Sequence, residues 1–346
     1  MSVEFIGVTF PKSSQWYNDE VCSIETIKLQ IDKNFSNQKN LFINTTWFGP
    51  QFNNGQYEKF KNICSSQQFD NVFLLAAADP VFLADYQIIE VQQISGGKLH
   101  LIGHFDTPYS FNFHSIVIPK YFKNYSKEQL KMSDPKYIFI NYNRKPRTHR
   151  SLLVEALLDK GLDKYGIITH GIDNANNKFN ENRYTHSITL GETVDEIGKE
   201  NQWWAEQFGI PHDIHSLGRM DIWQHHFLTV VGETEGNNDV PTFVSEKTWK
   251  PMIGLRPFII NGQRKVYQWL RDRGFRTFNQ YWSHIPIEGS EETPKMCAAV
   301  VEYLSSKTKV ELLLMYQNML PDLIHNQQRF YEFSKEQKHK MENIFL

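Results

Sequence analysis

Residues 227–261 read FLTVVGETEGNNDVPTFVSEKTWKPMIGLRPFIIN, and this stretch decides the fold class of the second half of the chain. The apolar run Phe227–Gly232 predicts a buried strand, and Phe258–Asn261 predicts a second one. Between them Ser245 is a good helix N-cap, because its hydroxyl can accept a hydrogen bond from a backbone N–H of the first turn. Strand, helix and strand in this order indicate an α/β fold with a parallel sheet.

The helix start at Ser245 carries side chains that suit an anionic ligand with hydroxyl groups. Backbone N–H groups and the helix dipole favour an anion there, and Lys247 and Lys250 add positive charge. Glu246 offers two acceptor oxygens for the paired hydroxyls of a ribose or a sugar. The pattern predicts a nucleotide-sugar site. The alternative is a capped surface helix whose charges are solvated.

A basic segment, RKPRTHR at 144–150, follows the predicted strand Tyr137–Asn141 and opens the predicted helix Arg147–Lys160. Ligands of open α/β sheets bind at the carboxyl ends of strands. Cations at a helix N-terminus are unfavourable without an anion, so we expect diphosphate binding here rather than a solvated basic turn. The candidate phosphate ligands are three arginines: Arg144, Arg147 and Arg150.

Two further observations favour a ligand site in the second half. All eleven arginines lie at or beyond Arg144, and arginine is the residue best suited to bidentate phosphate contacts. The loop Gly232–Asp239 combines glycines, which allow close backbone approach, with Glu233, which can accept sugar hydroxyls. Such a cluster is also typical of an ordinary loop.

Both halves of the chain alternate apolar runs with helical segments, which predicts two Rossmann-like domains that face a cleft. The predicted strands are Val3–Thr9, Leu41–Trp47, Val72–Ala77, Leu99–His104, Ser115–Ile118, Tyr137–Asn141, Gly166–His170, Phe227–Gly232, Phe258–Asn261 and Phe275–Phe278. The predicted helices are Asn18–Asn34, Tyr57–Ser65, Arg147–Lys160, Lys265–Arg273 and the region from Pro294 onward, with a break at Pro321. We expect an acceptor domain at 1–125, a donor domain at 136–290, and helices at 291–346 that pack across both.

Composition excludes some classes of protein. At 346 residues two domains are expected, and a formal net charge of −2 gives no global attraction to nucleic acid or to an anionic membrane. Three widely spaced cysteines, Cys22, Cys64 and Cys297, predict reduced thiols. The sequence has neither a signal-peptide pattern nor an apolar run of membrane-spanning length, so we expect a cytoplasmic protein.

A catalytic base should come from the first half if the second half binds the donor. Candidates near predicted strand ends are Asp79, His104 and Asp106, although capping or turn roles suit each of them as well. Histidines at 212, 215, 225 and 226 suggest a metal site only weakly, because no cysteine or third well-spaced ligand accompanies them. There is no Asp-x-Asp motif, and we expect no metal and no other cofactor.

Three segments together resemble the donor-site signature of fucosyltransferase-like glycosyltransferases: Val230–Glu233 with Asn237–Asn238, Val244–Pro251, and Arg256–Ile259. In that family a strand ending in Glu leads to a Thr/Ser-Glu-Lys helix start and then to a strand that begins near Pro. The resemblance covers roughly residues 137–280. It implies the GT-B fold, a C-terminal donor domain and no required metal. Pro251 departs from the family pattern, and the first half matches no part of it.

The resemblance also implies roles for individual residues. Glu246 would contact ribose or sugar hydroxyls, Lys247 a phosphate, and Arg147 the diphosphate, with Arg144 or Arg150 as substitutes. The implied reaction is an inverting transfer from a UDP- or GDP-sugar to a hydroxyl. The resemblance does not extend to the acceptor, which we expect to be a glycan or a hydroxymethylated base in bacteriophage DNA, in a bacterium or a phage-infected host cell. The alternative is a non-catalytic nucleotide- or sugar-binding module of the same fold.

Overall fold

The computed structural model describes residues 4–7, 15–44, 56–66, 68–76, 92–94, 96–103, 107–122, 125–143, 147–170, 217 and 220–346. The chain divides into two compact units. Unit 1 contains residues 1–117 and 334–346, and unit 2 contains residues 118–333. The boundary follows Val117, whereas the sequence pattern predicts it between residues 125 and 136.

Unit 1 is built on a parallel sheet whose described strands pair in sequence order. They are β1 (Glu4–Gly7), β2 (Asn40–Asn44), β3 (Asn71–Ala76) and β4 (Lys98–Gly103). The described helices that begin in it include α1 (Gln15–Asn34), α2 (Gln56–Ser66) and α3 (Phe113–Val117). Alternate residues of β2 and β3 pack with Cys64 and Phe69 in one core. The intervening Phe42 and Phe73 are also buried, as expected for a parallel sheet with both faces covered.

Unit 2 contains a second parallel sheet, in the order β6-β5-β7-β8. Its strands are β5 (Tyr137–Asn143), β6 (Gly166–His170), β7 (His226–Gly232) and β8 (Phe258–Asn261). The helices that begin in it are α4 (Pro119–Phe122), α5 (Lys127–Leu130), α6 (Thr148–Asp159), α7 (Met220–Trp223), α8 (Glu246–Ile253), α9 (Val266–Arg271), α10 (Thr293–Ser305) and α11 (Lys309–Glu342), with 3-10 turns at Asp163–Tyr165 and Asn279–Trp282. The prediction of an α/β fold with parallel sheets and a helical C-terminal segment is confirmed.

A single glycine closes the C-terminal end of α6. Gly161 adopts a φ of 62°, in the left-handed region that glycine tolerates without strain. Its N–H donates to the carbonyl of Leu158, and the next N–H, of Leu162, donates to Leu157. These two bonds close the helix and turn the chain toward β6.

The predicted strand Ser115–Ile118 is wrong, because α3 occupies this position. The side chain of Asn112 accepts a hydrogen bond from Ser115 N at 2.8 Å, while Ser115 Oγ donates to Asn112 O. This reciprocal bonding satisfies a free N–H at the start of a helix. A short apolar run such as SIVI fits either element, and here the asparagine before it decides.

The predicted strand Phe275–Phe278 is also wrong, since this segment pairs with no strand of the described sheet. The backbone N–H and C=O of Arg276 instead bond with the side chain of Asn326, at 2.7 and 2.8 Å. Both backbone groups are therefore satisfied by a helix side chain rather than by a neighbouring strand.

The predicted break at Pro321 does not occur, because α11 continues through it. Met319 and Leu323 on either side are fully buried in the core of unit 2, and this packing outweighs the hydrogen bond that proline removes. Within the described residues, no helix combines the length and the apolarity that a membrane crossing requires.

Candidate functional site

Three strands of the second sheet end side by side. Gly232 pairs with Asn261, and the next residue, Glu233, donates its N–H to the Asn261 carbonyl at 2.9 Å. The strand β5 lies on the other side of β7 and leads to α6. Because parallel strands share one carboxyl edge, the starts of α6 and α8 and the loop after β7 meet there, where open α/β sheets bind ligands.

Glu233 is completely buried at this edge and its carboxylate faces the start of α8. One oxygen accepts hydrogen bonds from Ser245 N at 2.9 Å and from Thr248 Oγ1 at 2.7 Å. The other accepts from Ser245 Oγ at 2.6 Å and from Thr234 N at 2.7 Å. A carboxylate has about four acceptor positions, so the protein itself uses all of them. The sugar-hydroxyl contact predicted for Glu233 therefore has no acceptor position in this arrangement.

The backbone carbonyl of Glu233 connects the same residue to α6. It accepts from Arg150 Nε at 2.9 Å and from His149 Nε2 at 2.8 Å. Next to it, the guanidinium of Arg147 donates to the carbonyl of Thr234. The predicted basic turn and the predicted Glu233 loop therefore contact each other directly.

The N-cap role of Ser245 is confirmed: its Oγ accepts a hydrogen bond from Lys247 N at 3.3 Å. Thr248 N donates to the Ser245 carbonyl at 3.2 Å, and Ser245 N is bound to Glu233. Three N–H groups that were expected to be available to an anion thus have partners within the chain. Side-chain cations, rather than these amides, are what this helix start can offer to a ligand.

Lys247 and Glu246 form an ion pair at the start of α8. The ammonium of Lys247 also donates to Thr234 Oγ1 at 3.1 Å, and its side chain is 25% exposed against 5% for Glu246. Lys250, one turn further along the helix, is partly buried. Since Arg147 binds the backbone carbonyl of Thr234, cations of two separate helices converge on that one residue.

The pKa of His149 is lowered to about 4, chiefly by burial and also by the charges of Arg150 and Arg147, while the hydrogen bond to Glu233 acts in the opposite direction. The ring is therefore neutral at neutral pH. Because a carbonyl oxygen only accepts, Nε2 must carry the proton. His149 adds a neutral donor rather than a further positive charge to a group already rich in cations.

The loop after β7 is held by its own side chains and by one glutamine. The Glu235 carboxylate accepts from the N–H of Asn237. The Gln263 amide donates to the carbonyls of Asn237 and Val240 at 2.7 and 3.0 Å, and it accepts from Phe243 N at 2.7 Å. These bonds fix the backbone between β7 and α8 without regular secondary structure.

Two glycines of this region are required by neighbouring side chains. A Cβ at Gly232 would lie 2.2 Å from Asn143 Oδ1, and one at Gly236 would lie 2.6 Å from His149 Nδ1. Both contacts are too short for any side chain. The glycines therefore allow the backbone to lie close to side chains of the same protein, rather than to a ligand.

The structure brings six of the predicted donor-site residues into one connected group, and it places Lys250 one turn beyond them on α8. The six are Arg147, Arg150, Glu233, Ser245, Glu246 and Lys247. The base candidates Asp79, His104 and Asp106, together with Arg144, lie outside the described residues.

Sequence reasoning missed four members of the group: His149, Thr234, Thr248 and Gln263. His149 lies inside the basic segment, and Thr248 follows the N-cap by three residues, a position where capping partners recur. The positions of these two residues in the sequence could therefore have identified them as candidate members of the site. Gln263 gives no such signal, because it reaches back over more than twenty residues to the loop that it organises.

Among the residues that the structure describes, no group of three or more His, Cys, Asp or Glu side chains could hold a metal ion. His226 is buried between the Ile222 carbonyl and Thr229 Oγ1, and His225 contacts Ser133 Oγ. His212 and His215 lie outside the described residues.

No family model matches this chain, and neither a curated protein nor a solved structure shows significant similarity to it.

Proposed function

We propose that this protein is a nucleotide-sugar-dependent glycosyltransferase of the GT-B type, which binds the donor diphosphate at the carboxyl edge of the second sheet. The observation that carries the proposal is the convergence of Arg147 and Lys247 on Thr234. Two like charges from separate helices repel each other. The ion pair of Lys247 with Glu246 offsets part of that repulsion, and a ligand anion between the two cations would offset it as well. A diphosphate supplies two negative groups, one for each cation.

In this proposal Lys247 and Arg147 bind the diphosphate, and Glu246 accepts hydrogen bonds from the ribose or sugar. The Lys247 ammonium is now paired with Glu246, so donor binding would exchange that pair for a contact with phosphate. The buried Arg150 supports the loop through the Glu233 carbonyl. It therefore contributes positive potential without having to touch the ligand.

The chemistry that follows is an inverting displacement. A base removes the proton of the acceptor hydroxyl, the oxygen attacks the anomeric carbon, and the leaving diphosphate is stabilised by Lys247 and Arg147. Asp79, His104 and Asp106 remain the candidate bases. The proposed acceptor is a glycan or a hydroxymethylated base of phage DNA, which would have to be flipped out of the helix.

The experiment that tests the proposal measures binding and turnover of a panel of UDP- and GDP-sugars. Lys247→Ala and Glu246→Ala should each weaken donor binding about tenfold or more, because each removes a charge-assisted hydrogen bond. They should also abolish hydrolysis or transfer of the sugar. Thermal unfolding would show that both variants still fold.

A matched control pair lies at the start of α10, where Lys295 and Glu292 form an exposed ion pair. Lys295→Ala and Glu292→Ala should leave binding and turnover unchanged. If no sugar nucleotide binds the wild-type protein at millimolar concentration, the donor assignment is wrong. Binding without any turnover across the panel would instead identify a non-catalytic module.

A further inference from the structure

Each polar group of Glu233, in the backbone and in the side chain, forms at least one hydrogen bond. Its N–H donates to Asn261 of β8, and its carbonyl accepts from His149 and Arg150 of α6. Its carboxylate binds Ser245 N, Ser245 Oγ and Thr248 Oγ1 of the α8 start. One residue therefore connects the last strand of the sheet to the two helix starts from which the proposed phosphate ligands project.

The fourth carboxylate bond goes to Thr234, and Thr234 is the residue on which both proposed phosphate ligands converge. Its N–H donates to the Glu233 carboxylate, its carbonyl accepts from Arg147, and its Oγ1 accepts from Lys247. A displacement of Thr234 would change the separation of the Arg147 and Lys247 side chains. The separation of the two cations thus depends on Glu233, although the Glu233 carboxylate faces only protein.

We propose, on the basis of the donor site described above, that Glu233 is a positioning residue that sets the spacing of Arg147 and Lys247 for a diphosphate. The chemistry requires a carboxylate rather than an amide. Each oxygen accepts one backbone N–H, from Ser245 on one side and from Thr234 on the other. A glutamine in either amide orientation would place its NH₂ against one of these N–H donors.

Glu233→Gln therefore keeps the size of the side chain, but it places the NH₂ group of the amide against one backbone N–H, so that two donors face each other. We expect it to weaken GDP and UDP binding about tenfold, since a bond to a charged group is lost in a buried site. Turnover of a sugar nucleotide should show a raised KM, because the substitution disturbs the cations that bind the donor. Glu288→Gln is the control, because Glu288 forms a surface ion pair with Arg271.

Thr248 offers a matched pair of variants that separates positioning from packing. Thr248→Val keeps the shape of this buried side chain and removes the donor to Glu233, whereas Thr248→Ser keeps the donor and removes a methyl group. A positioning role predicts that Thr248→Val weakens nucleotide binding about fivefold while Thr248→Ser stays within about twofold of wild type. A role in packing alone predicts the opposite order.

Amide hydrogen exchange tests the same role without any ligand. The amides of Ser245 and Thr234 should exchange faster in Glu233→Gln than in wild type, since both donate to the carboxylate. Unchanged exchange at both amides would overturn the positioning role, as would wild-type nucleotide affinity in both Glu233→Gln and Thr248→Val. If the wild-type protein binds neither GDP nor UDP, the proposed function fails and the spacing role for a diphosphate fails with it, whereas the exchange measurement still shows whether the Glu233 carboxylate holds the amides of Ser245 and Thr234.

Discussion

The imidazole of His149 donates a hydrogen bond from Nε2 to the backbone carbonyl of Glu233 at 2.8 Å. The bond fixes the neutral tautomer with its proton on Nε2. Burial and the charges of Arg147 and Arg150 bring the pKa of the ring down to about 4. The start of α6 is thus hydrogen-bonded to the loop after β7 through an imidazole that becomes protonated near pH 4.

This lowered pKa predicts that acid destabilises the protein. Below the ordinary histidine pKa of 6.5 the unfolded chain binds a proton at His149, whereas the folded protein does not until about pH 4. The stabilisation is therefore fully present above pH 6.5 and is lost as the pH falls toward 4. The loss for this one group amounts to up to about 3 kcal/mol. His100 and His226, whose pKa values are also lowered by burial, contribute with the same sign.

Denaturant unfolding between pH 4 and 7 measures this effect. His149→Gln keeps an N–H donor for Glu233 but cannot titrate, so the slope of unfolding free energy against pH should become smaller. The exposed His339→Gln should leave the slope as it is in wild type. An unchanged slope in His149→Gln would mean that folding does not lower the pKa of His149.

Gly236→Ala should destabilise the protein by about 1–3 kcal/mol, because the new methyl group would overpack against the partly buried ring of His149. The three nearest atoms to such a Cβ all belong to His149, at 2.6 to 3.2 Å. In a His149→Ala background the same glycine substitution should therefore have a much smaller effect. A double-mutant cycle of unfolding free energies measures this coupling, and additive effects would show that the contact is unimportant.

Much of the fold follows from local patterns in the sequence. Strands such as Gly166–His170 and Phe258–Asn261 are buried apolar runs bounded by polar or turn residues, and they lie where the pattern predicts them. The two wrong strands are also short segments with apolar residues, but in each of them the side chain of a single asparagine satisfies the backbone. Asn112 and Asn326 make these bonds through side chains, which periodicity does not reveal.

The candidate site was partly predictable for a topological reason. Parallel strands end at one edge, so the helix starts at Arg147 and Ser245 were expected to meet. The direction of the Glu233 carboxylate was not predictable, because its donors at Ser245 and Thr248 lie twelve and fifteen residues away. Residue type alone does not distinguish an acceptor for sugar hydroxyls from an acceptor for a neighbouring helix.

Arg256 belongs to the segment that resembles the glycosyltransferase signature, and the structure gives it a role in the core. Its fully buried guanidinium donates to the carbonyls of Trp223, Leu130 and Leu255, and burial lowers its pKa to about 10. Arg256→Lys should destabilise the protein by about 2 kcal/mol or more, since an ammonium cannot reproduce this planar set of bonds.

Arg264→Lys is the control for this substitution in chemical denaturation. Arg264 is 43% exposed and pairs with Glu291 on the surface, so the change should alter the unfolding free energy by less than about 0.5 kcal/mol. Equal effects of the two substitutions would show that the carbonyls around Arg256 are satisfied in another way.

Pro321→Ala should stabilise the protein, because α11 continues through a residue that lacks a backbone donor. Alanine restores the missing hydrogen bond and is the better helix former, and we expect a gain of about 1–3 kcal/mol in unfolding free energy. Pro294 provides the comparison: it lies in the first turn of α10, where a backbone N–H would have no partner within the helix, so proline removes no hydrogen bond. Pro294→Ala should change stability little. Pro321→Ala could prove equally neutral. In that case the packing of Met319 and Leu323 would hold the backbone in a conformation in which the alanine N–H forms no helical hydrogen bond.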